Sequence, residues 1–321
     1  MRNNQEKHMI YTVTFNPAID YIFHTGSFDS EDVIRAKYDE IFIGGKGINV
    51  SRVLSALGIE STALGFIAGF TGDAIEAGLT RMGIANEFVR LKSGNTRINM
   101  KVKTESGERE LNGKGPYIDG DSLNVLCERL DKLTPDDVLV MAGSVPSDMS
   151  SDIYAIITER LTKKGIRVIV DATGNLLQKT LKHNPFLIKP NHHELAAMFG
   201  VEIKTKDDII TYGRKLKEMG AVNVLISMAG DGAILIDEDD IVHEMGVYEG
   251  KIINSVGAGD SMVAGFVAAL FGDYSSEFLK AEGYEKALRL GTACGAATAF
   301  SEDLATREEI ERLLMDGIII S

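Results

Sequence analysis

The sequence predicts an α/β protein: a doubly wound, mostly parallel sheet with helices on both faces and a small β lid. Three observations predict this class. From residue 120 onward, short apolar runs alternate with helical stretches, as expected for strands buried on both faces of a parallel sheet. Polar residues follow several of these runs, and two glycine-rich loops each open a helix. Ligands bind at such strand ends in open α/β sheets, so a ligand site is expected there.

Length and charge limit the classes of function. The chain has 321 residues, 44% of them apolar, and a formal net charge of −13. This length suits one large α/β domain or two smaller ones, and this apolar content excludes a disordered chain. The acidic balance argues against a partner that is a nucleic acid or an anionic membrane. Anionic substrates would therefore need a locally positive site on an acidic protein.

The cysteines and the N-terminus predict a cytoplasmic protein. Cys127 and Cys294 form neither a CxxC motif nor a cysteine–histidine cluster, which is typical of reduced proteins without disulfides or zinc sites. No apolar run reaches membrane-spanning length, and residues 1–8 lack the apolar core of a secretory signal. We expect residues 1–8 to be a disordered extension and residues 9–321 to form one domain.

The first strand is predicted at residues 9–15, a run of β-branched and aromatic residues. It ends at the breaker pair Asn16-Pro17, and Asp20 follows. A polar side chain just past the carboxyl end of a strand lies where open α/β sheets bind ligands. A turn-forming role is an equally open interpretation of Asp20.

Two segments are predicted to form a second, smaller sheet. Residues 21–43 alternate between apolar and polar positions without helical spacing. Residues 96–104 alternate strictly, with apolar side chains on one face and arginine, asparagine and lysine on the other. We expect segments at about 21–43 and 95–116 to cover a site as a lid. Residues 62–91, between them, have the pattern strand, helix, strand.

The rest of the main sheet is predicted from apolar runs that separate helical stretches. These runs lie at residues 138–142, 166–171, 186–189, 222–227 and 233–237. The C-terminal third is predicted to be helical over 276–300 and again over 306–315, where Thr306 caps a glutamate-rich first turn.

The first glycine-rich loop is Gly44-Gly45-Lys46-Gly47-Ile48-Asn49, which leads into a helix. Its glycines allow a ligand to approach the backbone closely, while Lys46 and Asn49 supply polar contacts. It is not a Walker A loop, because no serine or threonine follows the lysine. A ligand-binding loop is favoured, since a structural turn does not need three glycines around a lysine.

The second glycine-rich loop, Asn254-Ser255-Val256-Gly257-Ala258-Gly259-Asp260-Ser261, opens a helix of small and apolar residues. The first N–H groups of a helix lack internal partners and attract anions, phosphate above all. Asp260 at the same point can take a proton from an alcohol while the amides hold the anion that the alcohol attacks. For this motif taken alone, helix capping by Asp260 is the favoured interpretation.

Two further loops leave alternatives open. Asn191 and Glu194 lie three residues apart at a helix start, which suits the hydration shell of magnesium. The same spacing suits a capping box, the better interpretation of the pair alone. The loop from Ser227 to Gly232 joins two strands and either admits a nucleotide against bare backbone or is a plain tight turn.

Together these motifs resemble the PfkB branch of the ribokinase-like sugar kinases, over about residues 9–300. The likeness rests on Gly-Gly-Lys-Gly-Ile-Asn and Asn-Ser-Val-Gly-Ala-Gly-Asp-Ser in this order, accompanied by Asn-Pro-Ala-Ile-Asp, Lys-Pro-Asn-His-His-Glu and Ser-Met-Ala-Gly-Asp-Gly. It implies a ribokinase-like fold and an ATP- and Mg²⁺-dependent kinase that phosphorylates a sugar hydroxyl. It also implies a homodimer paired through the lids, since relatives often pair them.

A narrower likeness concerns the acceptor sugar. Asn16–Asp20, Thr96–Asn99 and Asn112–Pro116 resemble members whose acceptor already carries a phosphate. The resemblance implies fructose 1-phosphate as acceptor and fructose 1,6-bisphosphate as product. Tagatose 6-phosphate is the alternative, and a ribose or nucleoside acceptor is less compatible with basic residues beside the sugar site.

The resemblance implies a role for each matching residue. Asp260 would be the catalytic base, beside an anion hole formed by Gly257, Ala258 and Gly259. The implied ligands of the sugar and its phosphate are Asp20, Gly45, Lys46, Asn49, Arg97, Ser144 and Arg35. The implied ligands of ATP are Lys189, Asn191, Ser227, Met228, Ala229, Gly230, Asp231 and Gly232. Glu194 would organise Mg²⁺ through water.

One residue departs from the family pattern. The nucleotide loop usually begins Ser-Leu-Gly, and here it begins Ser227-Met228-Ala229. Alanine tolerates positive φ less well than glycine, so we expect the local turn or the adenine fit to differ.

Two other classes of protein are weaker candidates. A dinucleotide-dependent oxidoreductase would carry GxGxxG after its first strand, and the sequence has no such fingerprint. A non-catalytic sugar-phosphate sensor would not need the intact Gly257-Ala258-Gly259-Asp260 motif. A kinase is therefore the favoured prediction.

Overall fold

The computed structural model describes residues 8–26 and 33–317. Its strands are β1 (Ile10–Thr14), β2 (Ala18–His24), β3 (Tyr38–Gly44), β4 (Ser61–Ile67), β5 (Ala85–Arg90), β6 (Arg97–Thr104), β7 (Gly107–Asn112), β8 (Val138–Ala142), β9 (Arg167–Asp171), β10 (Leu187–Ile188), β11 (Asn223–Ser227), β12 (Ala233–Ile236) and β13 (Val242–Met245). Its α-helices are α1 (Lys46–Ala56), α2 (Gly69–Arg81), α3 (Gly120–Leu130), α4 (Ile153–Thr162), α5 (Gly174–Gln178), α6 (His192–Phe199), α7 (Lys206–Glu218), α8 (Ala258–Phe271), α9 (Gly283–Ala299) and α10 (Arg307–Asp316).

The main sheet has nine strands in the order β13-β12-β11-β10-β9-β8-β1-β4-β5. In this order, every neighbouring pair from β11 across to β5 is parallel, which confirms the predicted mostly parallel α/β sheet. The expectation that residues 233–237 join it in parallel was wrong, because β12 runs antiparallel to β11. The connection from Met228 to Gly232 is too short for the crossover that a parallel pair requires.

Apolar cores cover both faces of this sheet. One core packs α1, α8, α9 and α10 against one face, and the other packs α3, α4, α6 and α7 against the opposite face. The helices α8 and α9 approach closely at Gly265, where an added Cβ would lie 2.7 Å from the carbonyl oxygen of Leu290. Small residues in α8 therefore allow α9 to pack closely against it.

A second sheet, which we call the lid sheet, has the order β3-β2-β6-β7 and forms from the two segments predicted to cover a site. Its burial is inverted relative to an ordinary surface sheet. On β6, the polar residues Asn99 and Lys101 are 7% and 8% exposed, while the apolar residues Ile98 and Met100 are 40% and 41% exposed. The polar face therefore turns toward the protein and the apolar face turns outward.

The described ends of the chain pack against α8 and against the core that covers one face of the main sheet. The extension predicted at residues 1–8 lies outside the described residues except for His8, whose ring packs edge-on against Phe271. At the other end, α10 begins with the predicted cap at Thr306. No helix in the described ranges is long and apolar enough to span a membrane.

Candidate active site

The second glycine-rich loop forms the amino end of α8. Gly257 is the residue before the helix and has φ of 81°, a left-handed conformation that glycine adopts without strain. Within the described ranges, the N–H groups of Gly259 and Asp260 make no hydrogen bond, whereas Ala258 donates to the carbonyl of Ser255 at 3.3 Å. Two free amides thus lie at the positive end of the helix dipole, a suitable place for an anion.

Asp260 lies in the first turn of α8 and is only 5% exposed. Its Oδ2 accepts a hydrogen bond of 2.8 Å from Nδ2 of Asn49 on α1, so the carboxylate bridges two helices rather than capping its own. Burial, assisted by the negative charge of Asp171, raises the pKa of Asp260 to about 7. A carboxylate with this pKa is suited to accept a proton near neutral pH.

Asp171 belongs to this site, although the sequence analysis did not predict it as a site residue. It was recognisable only as a polar residue at the end of a predicted strand. It lies at the carboxyl end of β9 and is 2% exposed. Its Oδ1 is 3.5 Å from Nζ of Lys46 and 3.6 Å from Nζ of Lys189. Burial alone would raise the pKa of Asp171, but the charges of Lys189 and Lys46 outweigh it and hold this pKa below its ordinary value.

Lys189 reaches the amino end of α8. A Cβ added to Gly259 would lie 3.1 Å from Nζ of Lys189, so the glycine leaves room for the buried ammonium. Lys46 starts α1 and contacts the same oxygen of Asp171, which raises the pKa of Lys46. Two cations, two carboxylates and the free amides therefore meet at this edge of the main sheet.

The lid sheet brings further predicted residues to the same edge. Asp20 on β2 accepts a hydrogen bond of 2.8 Å from Nδ2 of Asn99 on β6. An added Cβ at Gly44 would lie 2.1 Å from Oδ2 of Asp20, so only glycine fits beside this carboxylate. Arg97 donates from Nε to the carbonyl of Asn16 at 3.2 Å and is half-buried.

A cavity opens between the lid sheet and the loops that precede α8 and α10. Its charged and polar lining comprises Asp20, Asn49, Arg52, Lys101, Lys103, Glu108, Asn254, Glu302 and Asp303. Three basic residues of this cavity were not predicted from the sequence. Lys101 and Lys103 were visible as one face of an alternating strand, but the pattern did not show which face would be covered. Arg52, which pairs with Asp303, gave no sequence signal.

The nucleotide side combines a helix cap and a strand connection. Asn191 and Glu194 form the capping box, each side chain accepting a backbone hydrogen bond of 2.8 Å from the other residue. Ser227 at the end of β11 lies beside Asn191 through an isolated parallel bridge. In the following loop Met228 is buried, while Ala229, Gly230 and Asp231 are exposed. The two predicted nucleotide segments are therefore adjacent.

Two predicted sugar ligands, Ser144 and Arg35, lie at different distances from the site. Ser144 is exposed after β8, next to Gly143, where an added Cβ would be 3.5 Å from the Lys46 side chain. Arg35 is exposed and precedes Tyr38, the partner of His24 at the far end of β2. At about 3.3 Å per residue, the distance from Asp20 to His24 along β2 is roughly 13 Å. The structure therefore places Ser144 near the site and Arg35 at the tip of the lid sheet.

Comparison with known proteins identifies the family. The sequence pattern described as pfkB family carbohydrate kinase matches residues 11–310. The chain belongs to the pfkB family. It is 45% identical over 306 residues to the 1-phosphofructokinase of Bacillus subtilis, covering 95% of this chain and 97% of that protein. It is 34% identical over 305 residues to the D-tagatose-1-phosphate kinase of Bacillus licheniformis, covering 95% and 97% respectively.

A solved structure from the pfkB family has the same fold. The crystal structure of phosphofructokinase-2 from Escherichia coli in complex with substrates and products superposes with a TM-score of 0.86 at 28% identity, covering 95% of this chain and 98% of that one. The chain is thus an ATP-dependent sugar-phosphate kinase of the pfkB family, a phosphotransferase whose acceptor is a hydroxyl group. The prediction of a kinase is confirmed, and an oxidoreductase is excluded.

Proposed function

We propose that this kinase transfers the γ-phosphoryl group of ATP to fructose 1-phosphate and forms fructose 1,6-bisphosphate. The observation that carries the chemistry is the buried Asp260, held by Asn49 beside the free amides that open α8. The name of the relative with 45% identity supports the choice of acceptor. A pKa of about 7 lets Asp260 take the proton of the acceptor hydroxyl as the oxygen attacks phosphorus.

The acceptor site lies under the lid sheet. Asp20 and Asn49 hold the sugar hydroxyls by hydrogen bonds, and the small residue at Gly45 lets the sugar approach the backbone. The phosphate that the sugar already carries lies against β6, where Lys101 and Lys103 line the cavity and Arg97 begins the strand on the same face. Phosphoryl transfer depends mainly on such positioning and on charge stabilisation.

The donor site lies on the opposite side of Asp171. Lys189 and Asn191 hold the phosphates of ATP, and the loop from Ser227 to Gly232 receives the nucleoside against its backbone. The amides that open α8, which are free at Gly259 and Asp260, stabilise the charge of the phosphoryl group during transfer. The acceptor oxygen and the γ-phosphorus thus meet at the start of α8, beside the carboxylate of Asp260.

Magnesium fits this site as an ion held mostly by phosphate and water. Among the described residues, no three histidine, cysteine, aspartate or glutamate side chains cluster as a metal site. Glu194 uses Oε2 in the capping box, which leaves Oε1 to hold a metal-bound water. Magnesium when bound would neutralise charge on the transferring phosphates.

We also propose that two copies pair through the outer faces of their lid sheets. These faces carry large apolar side chains that are exposed in the single chain, namely Ile41, Ile98, Met100 and Leu111. Strand alternation and register place Ile41, Met100 and Leu111 in one row on the same face, with Tyr21 between Ile41 and Met100. A contiguous exposed apolar patch of this kind is typical of a protein interface.

A reducing cytoplasm, which suits the free thiols of Cys127 and Cys294, is the proposed location.

Tagatose 1-phosphate is a second candidate acceptor, because the relative with 34% identity is a D-tagatose-1-phosphate kinase. Tagatose and fructose differ only in the configuration at C4, so discrimination requires a hydrogen bond to that hydroxyl. A site that hydrogen-bonds a hydroxyl can discriminate strongly between such substrates. The sugar ligands Asp20 and Asn49 can provide this bond.

A substrate panel tests the acceptor. We expect kcat/KM with ATP to be at least about tenfold higher for fructose 1-phosphate than for tagatose 1-phosphate, tagatose 6-phosphate, fructose 6-phosphate or adenosine. Coupled release of ADP measures the rate for each acceptor. A higher kcat/KM for any other member of the panel would reassign the acceptor. Tight sugar-phosphate binding without turnover would indicate a sensor.

The variant Asp260→Asn tests the base. We expect kcat to fall by about 10²- to 10⁴-fold, the usual contribution of a positioned base, while KM for the sugar phosphate stays within about threefold. The matched control is Asp237→Asn, another buried aspartate, which pairs with His243 at the opposite edge of the main sheet. We expect the control to keep kcat near the parent value. A kcat for Asp260→Asn within tenfold of the parent would contradict the assignment.

A further inference from the structure

Asp171 connects the two halves of the site. Lys46, a proposed sugar ligand, comes from the start of α1, and Lys189, a proposed ATP ligand, follows β10. Both ammonium groups lie within 3.6 Å of the same oxygen of Asp171. The other oxygen, Oδ2, is buried and has no hydrogen-bond partner among the described residues. The carboxylate is therefore shared between two side chains that would bind different substrates.

Such an arrangement has a physical cost that needs a reason. A buried carboxylate with an unpartnered oxygen is unfavourable, and a buried charge persists only when opposite charges compensate it. Lysine side chains have several rotatable bonds, so without an anchor their ammonium groups would occupy many positions. Asp171 supplies that anchor for both lysines at once, because its position at a strand end is fixed by the sheet.

The charges around Asp260 show what else the anchor does. Asp260 on α8 faces Asp171 from β9, Lys46 and Asn49 from α1, and Lys189 from the segment after β10. Asp171 is the negative member of this set, so it offsets the two lysines that would otherwise favour the ionised form of Asp260. Its geometry thus links lysine placement to the proton affinity of the base.

We propose that Asp171 is a positioning residue, whose buried carboxylate holds Lys46 and Lys189 between the acceptor and nucleotide sites and keeps Asp260 a competent base. The inference rests on the proposed function, because it takes the roles of Asp260, Lys46 and Lys189 from there. It adds a residue that touches neither substrate and acts through the three that do.

The test is the isosteric variant Asp171→Asn, assayed for kcat as a function of pH with both substrates saturating. Loss of the negative charge leaves two cations facing Asp260, so its pKa falls and the acid limb of the profile moves down by at least about one pH unit. A weaker base and unanchored lysines should lower the plateau of kcat about tenfold or more. KM should rise for the sugar phosphate and for ATP, since one lysine serves each.

A matched control separates this role from a structural one. Asp137→Asn removes another buried aspartate, which binds the backbone of Thr134 at the amino end of β8. We expect the control to lose stability without moving the acid limb. Free fructose 1-phosphate and ATP titrate identically in every variant, so a displacement between variants arises in the enzyme–substrate complex. An unmoved acid limb in folded Asp171→Asn would overturn the proposal.

Two more variants complete the test. If Asp171→Asn does not accumulate as folded protein, Lys189→Met probes the same coupling with the opposite sign, and the acid limb should move up because a cation facing Asp260 is lost. An unmoved limb there would also overturn the proposal. Asp260→Asn tells the two hypotheses apart: retained turnover refutes the proposed base, whereas lost turnover with an unmoved limb in Asp171→Asn refutes only the role of Asp171.

Discussion

Asp260 combines a chemical advantage with a cost in stability. Its pKa rises from 3.8 in the unfolded chain to about 7 in the folded protein, mainly because of burial. The folded protein therefore binds this proton more tightly than the unfolded chain does. The stability associated with protonated Asp260 is complete below about pH 4 and is lost as the pH rises through about 7. At pH 8 the ionised carboxylate is a destabilising group.

The raised pKa of Asp260 predicts that Asp260→Asn is more stable than the parent at alkaline pH. Asparagine keeps an oxygen to accept from Asn49 and has no charge to desolvate, so the free energy of unfolding at pH 8 should rise by about 1 to 4 kcal/mol. Near pH 4 the two proteins should be nearly equal. Urea unfolding at the two pH values measures the difference. Equal or lower stability of the variant at pH 8 would contradict the pKa assigned to Asp260.

At the scale of elements, the connection between β11 and β12 contains Ala229, the residue that replaces the usual glycine of the family pattern. Ala229 has φ of 50°, so it adopts the left-handed conformation that the usual glycine would favour. The backbone of the short 3-10 turn from Ala229 to Asp231 therefore adopts a conformation that glycine would also adopt at its first residue. The alanine costs roughly 1 to 2 kcal/mol in that conformation.

We expect Ala229→Gly to stabilise the protein slightly. Relief of the left-handed strain exceeds the entropy that glycine adds to the unfolded chain, roughly 0.4 to 1 kcal/mol, so the net gain should be about 0.5 to 1 kcal/mol. KM for ATP should change less than about twofold if the loop keeps its path. Ala296→Gly, inside α9, is the control and should destabilise by about 1 kcal/mol. A loss of stability in Ala229→Gly would show that the left-handed alanine is not strained.

For the whole molecule, the inverted burial of the lid sheet is consistent with the two contacts proposed for it, one on each face. Its polar face lines the cavity beneath the sheet through Lys101, and the buried Asn99 on the same face donates a hydrogen bond to Asp20. At the base of the sheet its apolar face is covered, because Ile19 and Ile43 pack against a small core with Ile75. Substrate and a second copy would therefore use opposite faces of one sheet.

The pairing of lid sheets predicts that a charge on the outer face dissociates the dimer. In Met100→Asp, the buried interface would have to accommodate an unpaired carboxylate, so sedimentation should show the mass of one chain, 34.9 kDa, in place of twice that mass. The control Ile156→Asp places the same charge on an exposed residue of α4. The control should remain a dimer. A monomeric parent, or a dimeric Met100→Asp variant, would refute this interface.

The sequence alone determined the features that depend on local patterns. Apolar runs and their spacing predicted the strands of the main sheet and the two segments of the lid sheet, because strand and helix periodicity are local properties. Glycines at helix starts and polar residues at strand ends marked Asp260, Lys46 and Lys189 for the same reason. Short-range chemistry also gave the cap at Thr306.

Only the tertiary structure decided which of these residues meet. Asn49 bonds to Asp260 across 211 positions of sequence, and Lys46 approaches Asp171 across 125. Alternation on β6 defines two faces but not which one is covered, so the burial of Lys101 depended on where the lid sheet lies. The order of strands and the packing of helices bring distant residues together, and a local pattern carries no record of that order.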